Sequence, residues 1–181
     1  MKNITAVKID AFSFEYNEVQ DRILLSGNLY NEGREIRFWL TRRLALRLLN
    51  AAADLIEKTS PSVISSPVDH KGAMASFEHQ RAQQDQSNVT TGSGSPVSSV
   101  SNAEAVIEPS ILKRLDISYQ NKFYKLAFYT SNSNEVAASS QVDSNQLHQI
   151  ISFIHQGAKS LEWGAVENLF EPAQASTYTL Q

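Results

Sequence analysis

The chain has 181 residues, a formal net charge of −3 and no cysteine. That length suits one domain or two small ones, and the missing cysteines exclude disulfides, thiolate metal sites and cysteine nucleophiles together. Proteins that coat nucleic acid are usually basic, with a domain pI above about 9, so a sequence pI of about 5.8 opposes that role globally and leaves room only for a local basic patch.

Residues 5–16 alternate as a strand, with Val7 and Ile9 on one side and Phe12, Phe14 and Tyr16 on the opposite parity. A change of phase inside one strand predicts a bulge near Asp10–Ala11, because a single-residue slip swaps the faces. Residues 22–30 form a second strand. Asn31-Glu32-Gly33 supplies a hairpin turn, since Asn and Gly tolerate positive φ, and residues 34–40 form a third strand.

Thr41 stands where an N-cap belongs. It opens a helix over 42–58, whose Leu44, Leu48, Ala52 and Leu55 recur at spacings of three and four and suit packing on a sheet. Arg42 and Arg43 occupy the first turn, where anions are preferred. Such breaches of a local rule concentrate at functional sites.

Residues 59–110 differ in kind. Prolines punctuate them and Ser, Thr, Gly and Gln fill them, so they read as a flexible polar insert with a possible short helix at 71–86. The second half then repeats the first in outline: strands over 111–119 and 123–130, a weak third strand over 135–142, and a helix from about 143–145 to Trp163 with Gly164 as its C-cap. Residues 165–181 read as a mostly disordered tail.

The expected fold is therefore α+β. A first βββα unit (1–58) and a second (111–164) share one antiparallel sheet with two helices on one face, and a long disordered insert joins them. This duplicated layout resembles that of small single-stranded nucleic-acid binders of the Whirly and PUR type, which carry four strands per unit where three are read here. The likeness is one of layout and lends no function.

The candidate site is the arginine-rich junction of strand and helix. Arg34, Arg37, Arg42, Arg43 and Arg47 fall within 14 residues that hold one acid, Glu35, with Trp39 among them. Arginine beside an exposed aromatic holds phosphates and bases, and Trp and Arg also anchor protein interfaces. The plain reading is a solvated face whose arginine stems cover apolar surface. His148 and His155, seven apart on a helix, stand about 10 Å apart along its axis and cannot share one metal. His70 and His79 are expected to be exposed in the insert.

No P-loop, dinucleotide fingerprint or nucleophile elbow occurs, and neither a cofactor nor a metal is expected. The sequence also lacks an apolar signal-peptide core and any run near the roughly 18 apolar residues of a membrane span, so a cytoplasmic location is expected. The functional expectation is a non-enzymatic accessory or interaction protein that docks a protein partner or forms a homodimer through the sheet face. Exposed aromatics at Tyr16, Tyr30, Trp39, Tyr124 and Phe128 would serve that role. The alternative is a nucleic-acid-binding module using the same face and the arginines.

Overall fold

The computed structural model describes residues 6–29, 34–85, 89–91 and 107–170, the side chains of 89–91 excepted. In chain order the elements are β1 (Val7–Lys8), β2 (Phe12–Asn17), β3 (Arg22–Gly27), β4 (Ile36–Thr41), α1 (Arg42–Thr59), α2 (Pro61–Ser65), a 3-10 turn (Val68–His70), α3 (Lys71–Gln84), β5 (Val89–Thr91), β6 (Ser110–Gln120), β7 (Phe123–Thr130), β8 (Ala138–Val142) and α4 (Ser144–Ser160). The fold is mixed α/β. Its strands form one sheet in the order β1-β8-β7-β6-β4-β3-β2-β5.

Two antiparallel meanders, β2-β3-β4 and β6-β7-β8, make up most of that sheet. The expectation of an antiparallel sheet fails at three joins. β4 runs parallel to β6, β1 to β8 and β5 to β2. The physical reason is connectivity: β4 and β6 lie side by side but are joined through helices, and a crossover of that kind brings the chain back in the same direction. Three strands then a helix describes the second half (β6, β7, β8, α4), whereas four strands precede α1, because the first segment divides into β1 and β2.

The sheet is strongly curled. Phe12 on β2 lies 6.2 Å from Phe128 on β7, and Phe128 stacks at 5.4 Å on Phe38 of β4. Four steps of about 4.8 Å, or roughly 19 Å, would separate β2 from β7 in a flat sheet, so the far strands have folded round to face one another. The segment from Val7 to Asn17 follows this curl. Its first part pairs with β8, where Ile9 N donates to Ser139 O at 2.8 Å and Ser140 Oγ donates to Ile9 O at 2.7 Å. Its second part pairs with β3. The change of partner falls between Lys8 and Phe12, where the apolar pattern changes phase.

The concave face carries the core. Phe14, Ile23, Leu25, Phe38, Leu40, Leu126 and Phe128 are buried there. α4 lies over β2: Phe14 stacks on Phe153 at 5.7 Å, and Tyr16 Oη donates to Phe153 O at 2.8 Å. α1 buries Ala45, Leu48, Leu49, Ala52, Ala53 and Ile56. Both helices begin with side-chain caps, which satisfy otherwise orphaned amides. The Thr41 side chain accepts from Leu44 N, and Asp143 with Gln146 forms a capping box. At the C-terminus of α1, Thr59 Oγ1 donates to Leu55 O and meets Tyr124 Oη, each at 2.7 Å. Tyr124→Phe breaks that chain without leaving a void. It is expected to cost about 1 kcal/mol in a urea melt, and no measurable change would show the bond to be idle.

Two further expectations are corrected, the loose insert and the end of the last helix, which stops at Ser160 with Leu161 as its C-cap rather than at Trp163 with Gly164. The insert is not a loose tether over 61–85: α2 buries Val63, and α3 lies on α4 with Ala75, His79 and Ala82 buried. β5 adds to the sheet edge beside β2. Small side chains let α3 approach closely, and polar side chains lock it, so composition alone did not mark it as packed. After α4 the chain leaves through left-handed Glu162 (φ 54°), and Trp163 N donates to Ala158 O at 2.9 Å. Trp163 is fully buried with its indole bonded to Asp21, and Phe170 is buried as well. The turn expected at residues 31–33, the flexible stretch 87–102 apart from β5, and the tail beyond Phe170 lie outside the described residues.

Candidate functional site

Alternation along β4 turns Ile36, Phe38 and Leu40 toward the core side, which leaves Arg37 and Trp39 on the convex face. Registered neighbours across strands share a face, so Trp39 stands between Leu24 of β3 and Ile111 of β6. Leu24 is buried, Trp39 half-buried and Ile111 39 % exposed.

Arg37 is not free. Its Nε donates to Glu35 Oε1 at 2.5 Å, two residues away on the same face. Arg34 is exposed just before β4, and Arg42, Arg43 and Arg47 are exposed on the first turns of α1. None of these four has an ion-pair partner among the described residues. The fold thus divides the arginine cluster between two places. Arg37 sits with Trp39 on the sheet, neutralised, and Arg42, Arg43 and Arg47 stand on the helix without an ion-pair partner among the described residues.

The convex face continues onto residues that the sequence reading missed. β6 carries a bulge between Leu112 and Arg114, and bulges re-aim side chains. Here the extra residue restores Arg114 to the outer face opposite Tyr129, and its guanidinium stacks 3.8 Å from that ring's centroid. The same guanidinium meets Asp116 at 3.1 Å, while Lys113 Nζ donates to Asn134 Oδ1 at 3.2 Å. A shallow depression of about 120 Å³ lies among Lys113, Arg114, Tyr129, Ser133 and Asn134. The signal was present in the sequence: Leu112 and Leu115 are both apolar yet three apart, which plain alternation does not allow.

Three of the aromatics expected on the solvent side point inward. Tyr124 and Phe128 are buried in the core, and Tyr16 is clamped under α4 with its phenol pKa pushed up to about 12 by burial. Tyr30 lies outside the described residues. Of that set Trp39 remains, now joined by Tyr129 and by Phe123, which is 41 % exposed.

The histidines also differ from expectation. His79 is buried against His148, with their Nδ1 atoms 3.2 Å apart and the Phe170 ring over both. Among the described residues no cluster of three or more His, Asp or Glu could hold a metal ion, and no helix is long and apolar enough to cross a membrane. Comparison with known proteins finds no match among family models, curated proteins or solved structures.

Proposed function

We propose that this chain is a non-enzymatic interaction protein that docks a protein partner on the convex face of its sheet, around Trp39 and Tyr129. The observation that supports this reading is that the arginines beside the aromatic centres are already paired. Arg37 is tied to Glu35 and Arg114 to Asp116, each two residues away, and Lys113 and Lys125 each donate to an amide oxygen, of Asn134 and Gln120. A face that attracts phosphate backbones needs uncompensated cations. A face with aromatic and apolar centres and a paired polar rim suits a protein. A second copy of the chain on the same face is the homodimeric form of the same reading.

Photo-crosslinking residues placed at Phe123 and Lys125, on the outer side of β7, test the proposal in cells. A discrete protein adduct from these positions, weakened about tenfold or more by Trp39→Ala with the fold intact by circular dichroism, is the expected result. Equal adducts from Gln80 on α3 would show that the face has no privilege.

The second reading is nucleic-acid binding through Arg42, Arg43 and Arg47, favoured by their lack of acidic partners among the described residues. It requires anisotropy of labelled single-stranded DNA or RNA that rises with protein and falls steeply with salt. A flat trace at low salt, unchanged by Arg43→Ala, removes it.

A further inference from the structure

We propose that α3 is a flap held on α4 by the His79–His148 pair and released when that pair is protonated in mild acid. The contact between the two helices is unusual in what it lacks. α3 buries Ala75, His79 and Ala82 and packs Met74 partly against the core, so only a small apolar area holds it down. The rest of the contact is polar. Gln83 Nε2 donates to Ser152 Oγ at 2.9 Å, Gln149 Nε2 donates to Ala82 O at 3.0 Å and also meets Asp85 O, and Asn145 Nδ2 donates to Asp85 Oδ2 at 2.9 Å. The His pair sits at the centre of this contact, where water is excluded.

The geometry of the pair admits one proton and not two. An Nδ1-to-Nδ1 contact of 3.2 Å is a hydrogen bond when one nitrogen carries the proton and the other offers its lone pair. With both rings protonated it becomes two donors facing each other, with like charges in contact. The Phe170 ring, centred 5.1 Å from His79 and 5.6 Å from His148, shields both from solvent.

The charged groups around the pair do not rescue a double cation. On α3, Glu78 Oε2 lies 3.8 Å from His148 Nε2, too far for a hydrogen bond, and the carboxylate already accepts from the hydroxyls of Ser60 and Ser62 at the start of α2. His148 Nε2 is left buried without a hydrogen-bond partner. Arg81, also on α3, opposes a charge on His148, and on α4 His155 opposes one on His79. In the segment after α4, Glu167 is exposed and paired with Lys159. The one carboxylate placed against the pair, Glu78, faces His148.

Burial, then the neighbouring imidazoles of His148 and His155, bring His79 down to about 4; burial, then Arg81, bring His148 down to about 4. With α3 lifted off, each ring returns toward the ordinary value near 6.5. The docked form binds fewer protons than the open form between those values. Docking is therefore at full strength above about pH 6.5 and is lost progressively as pH falls toward about 4. The open fraction rises up to tenfold per pH unit for one proton, and up to a hundredfold while both are taken up.

Hydrogen–deuterium exchange of the full chain at about pH 7 and about pH 5.5, corrected for intrinsic rates, reads this directly. Protection over 71–84 is expected to fall tenfold or more while β3 and β7 keep theirs. His79→Gln should lose about half of that pH response on a logarithmic scale. His148→Gln should likewise lose about half of that response, a result that holds even if His79→Gln fails to dock. Unchanged protection over 71–84, loss of protection only together with β3 and β7, or tighter docking in acid would each overturn the proposal.

Discussion

Replacing Asn28 with alanine is expected to lower the unfolding free energy by about 3–5 kcal/mol, roughly 10 °C in melting temperature. Asn28 is 2 % exposed and sits at φ 60°, where an L-residue with a Cβ is strained and Asn is favoured. Its side chain serves the place where the strand from Val7 to Asn17 changes partner. Oδ1 accepts from Asp10 N at 2.9 Å and Ala11 N at 3.4 Å, and Nδ2 donates to Lys8 O at 2.8 Å and Arg34 O at 3.1 Å. These backbone groups surround a break in the ladder and would otherwise lack partners. Gly27 completes the joint, because a Cβ there would come within 2.9 Å of the Ile9 side chain.

Alanine at position 28 orphans several part-buried groups at about 1–3 kcal/mol each, partly recovered by water, and adds about 1 kcal/mol of left-handed strain. Glycine keeps the conformation and loses only the side-chain bonds, so Asn28→Gly should be milder than Asn28→Ala by about 1 kcal/mol. Urea melts of the three proteins at neutral pH separate the terms. A cost below about 1 kcal/mol for Asn28→Ala would mean that the joint is held by something else.

That joint was half legible in the sequence. The phase change between Ile9 and Phe12 marked its position, because alternation records which face each residue takes. Alternation does not record which strand lies alongside, so nothing foretold that Val7 and Ile9 would pair with β8 and Phe12 with β3. The parallel joins were hidden for the same reason. The helices were legible because Thr41 and Asp143 cap stripes of period 3.6, and the observed α1 ends one residue past its expected limit.

The candidate site was less legible. Trp39 and Arg37 were placed together by their parity, but Glu35 was not recognised as the partner that cancels Arg37. In β7, aromatics occupy both parities, so pattern alone did not say that Tyr124 and Phe128 face inward while Phe123 and Tyr129 face out. His79 falls in a polar insert beside Glu78, a setting that implies exposure. The docking of α3 rests on alanines, amides and a second histidine 69 residues away, and no local pattern contains that information.

Gly157→Val is expected to destabilise the fold by about 3 kcal/mol, against the direction that helix propensity alone predicts. Gly157 lies inside α4, where glycine normally weakens a helix by about 1 kcal/mol relative to alanine. The helix tolerates that weakness because it crosses β2 and β3 there with no room to spare. A Cβ would stand 2.6 Å from Tyr16 Cε1 and 2.7 Å from Ile23 Cδ1. Tyr16 cannot swing away cheaply, since its hydroxyl is bonded to Phe153 O on the preceding turn of the same helix. Inserting even one methyl group forces the helix off the sheet or breaks that bond. Gly157→Ala should therefore be neutral to destabilising by about 1–2 kcal/mol, the balance of overpacking against propensity. Tyr16→Ala opens the space, so the Tyr16→Ala/Gly157→Val double variant should be more stable than the sum of the single effects by at least about 1 kcal/mol. If Gly157→Ala instead raises stability by the full propensity term, α4 does not bear on Tyr16 and Ile23 at that position, and the close crossing of helix and sheet is not what requires glycine.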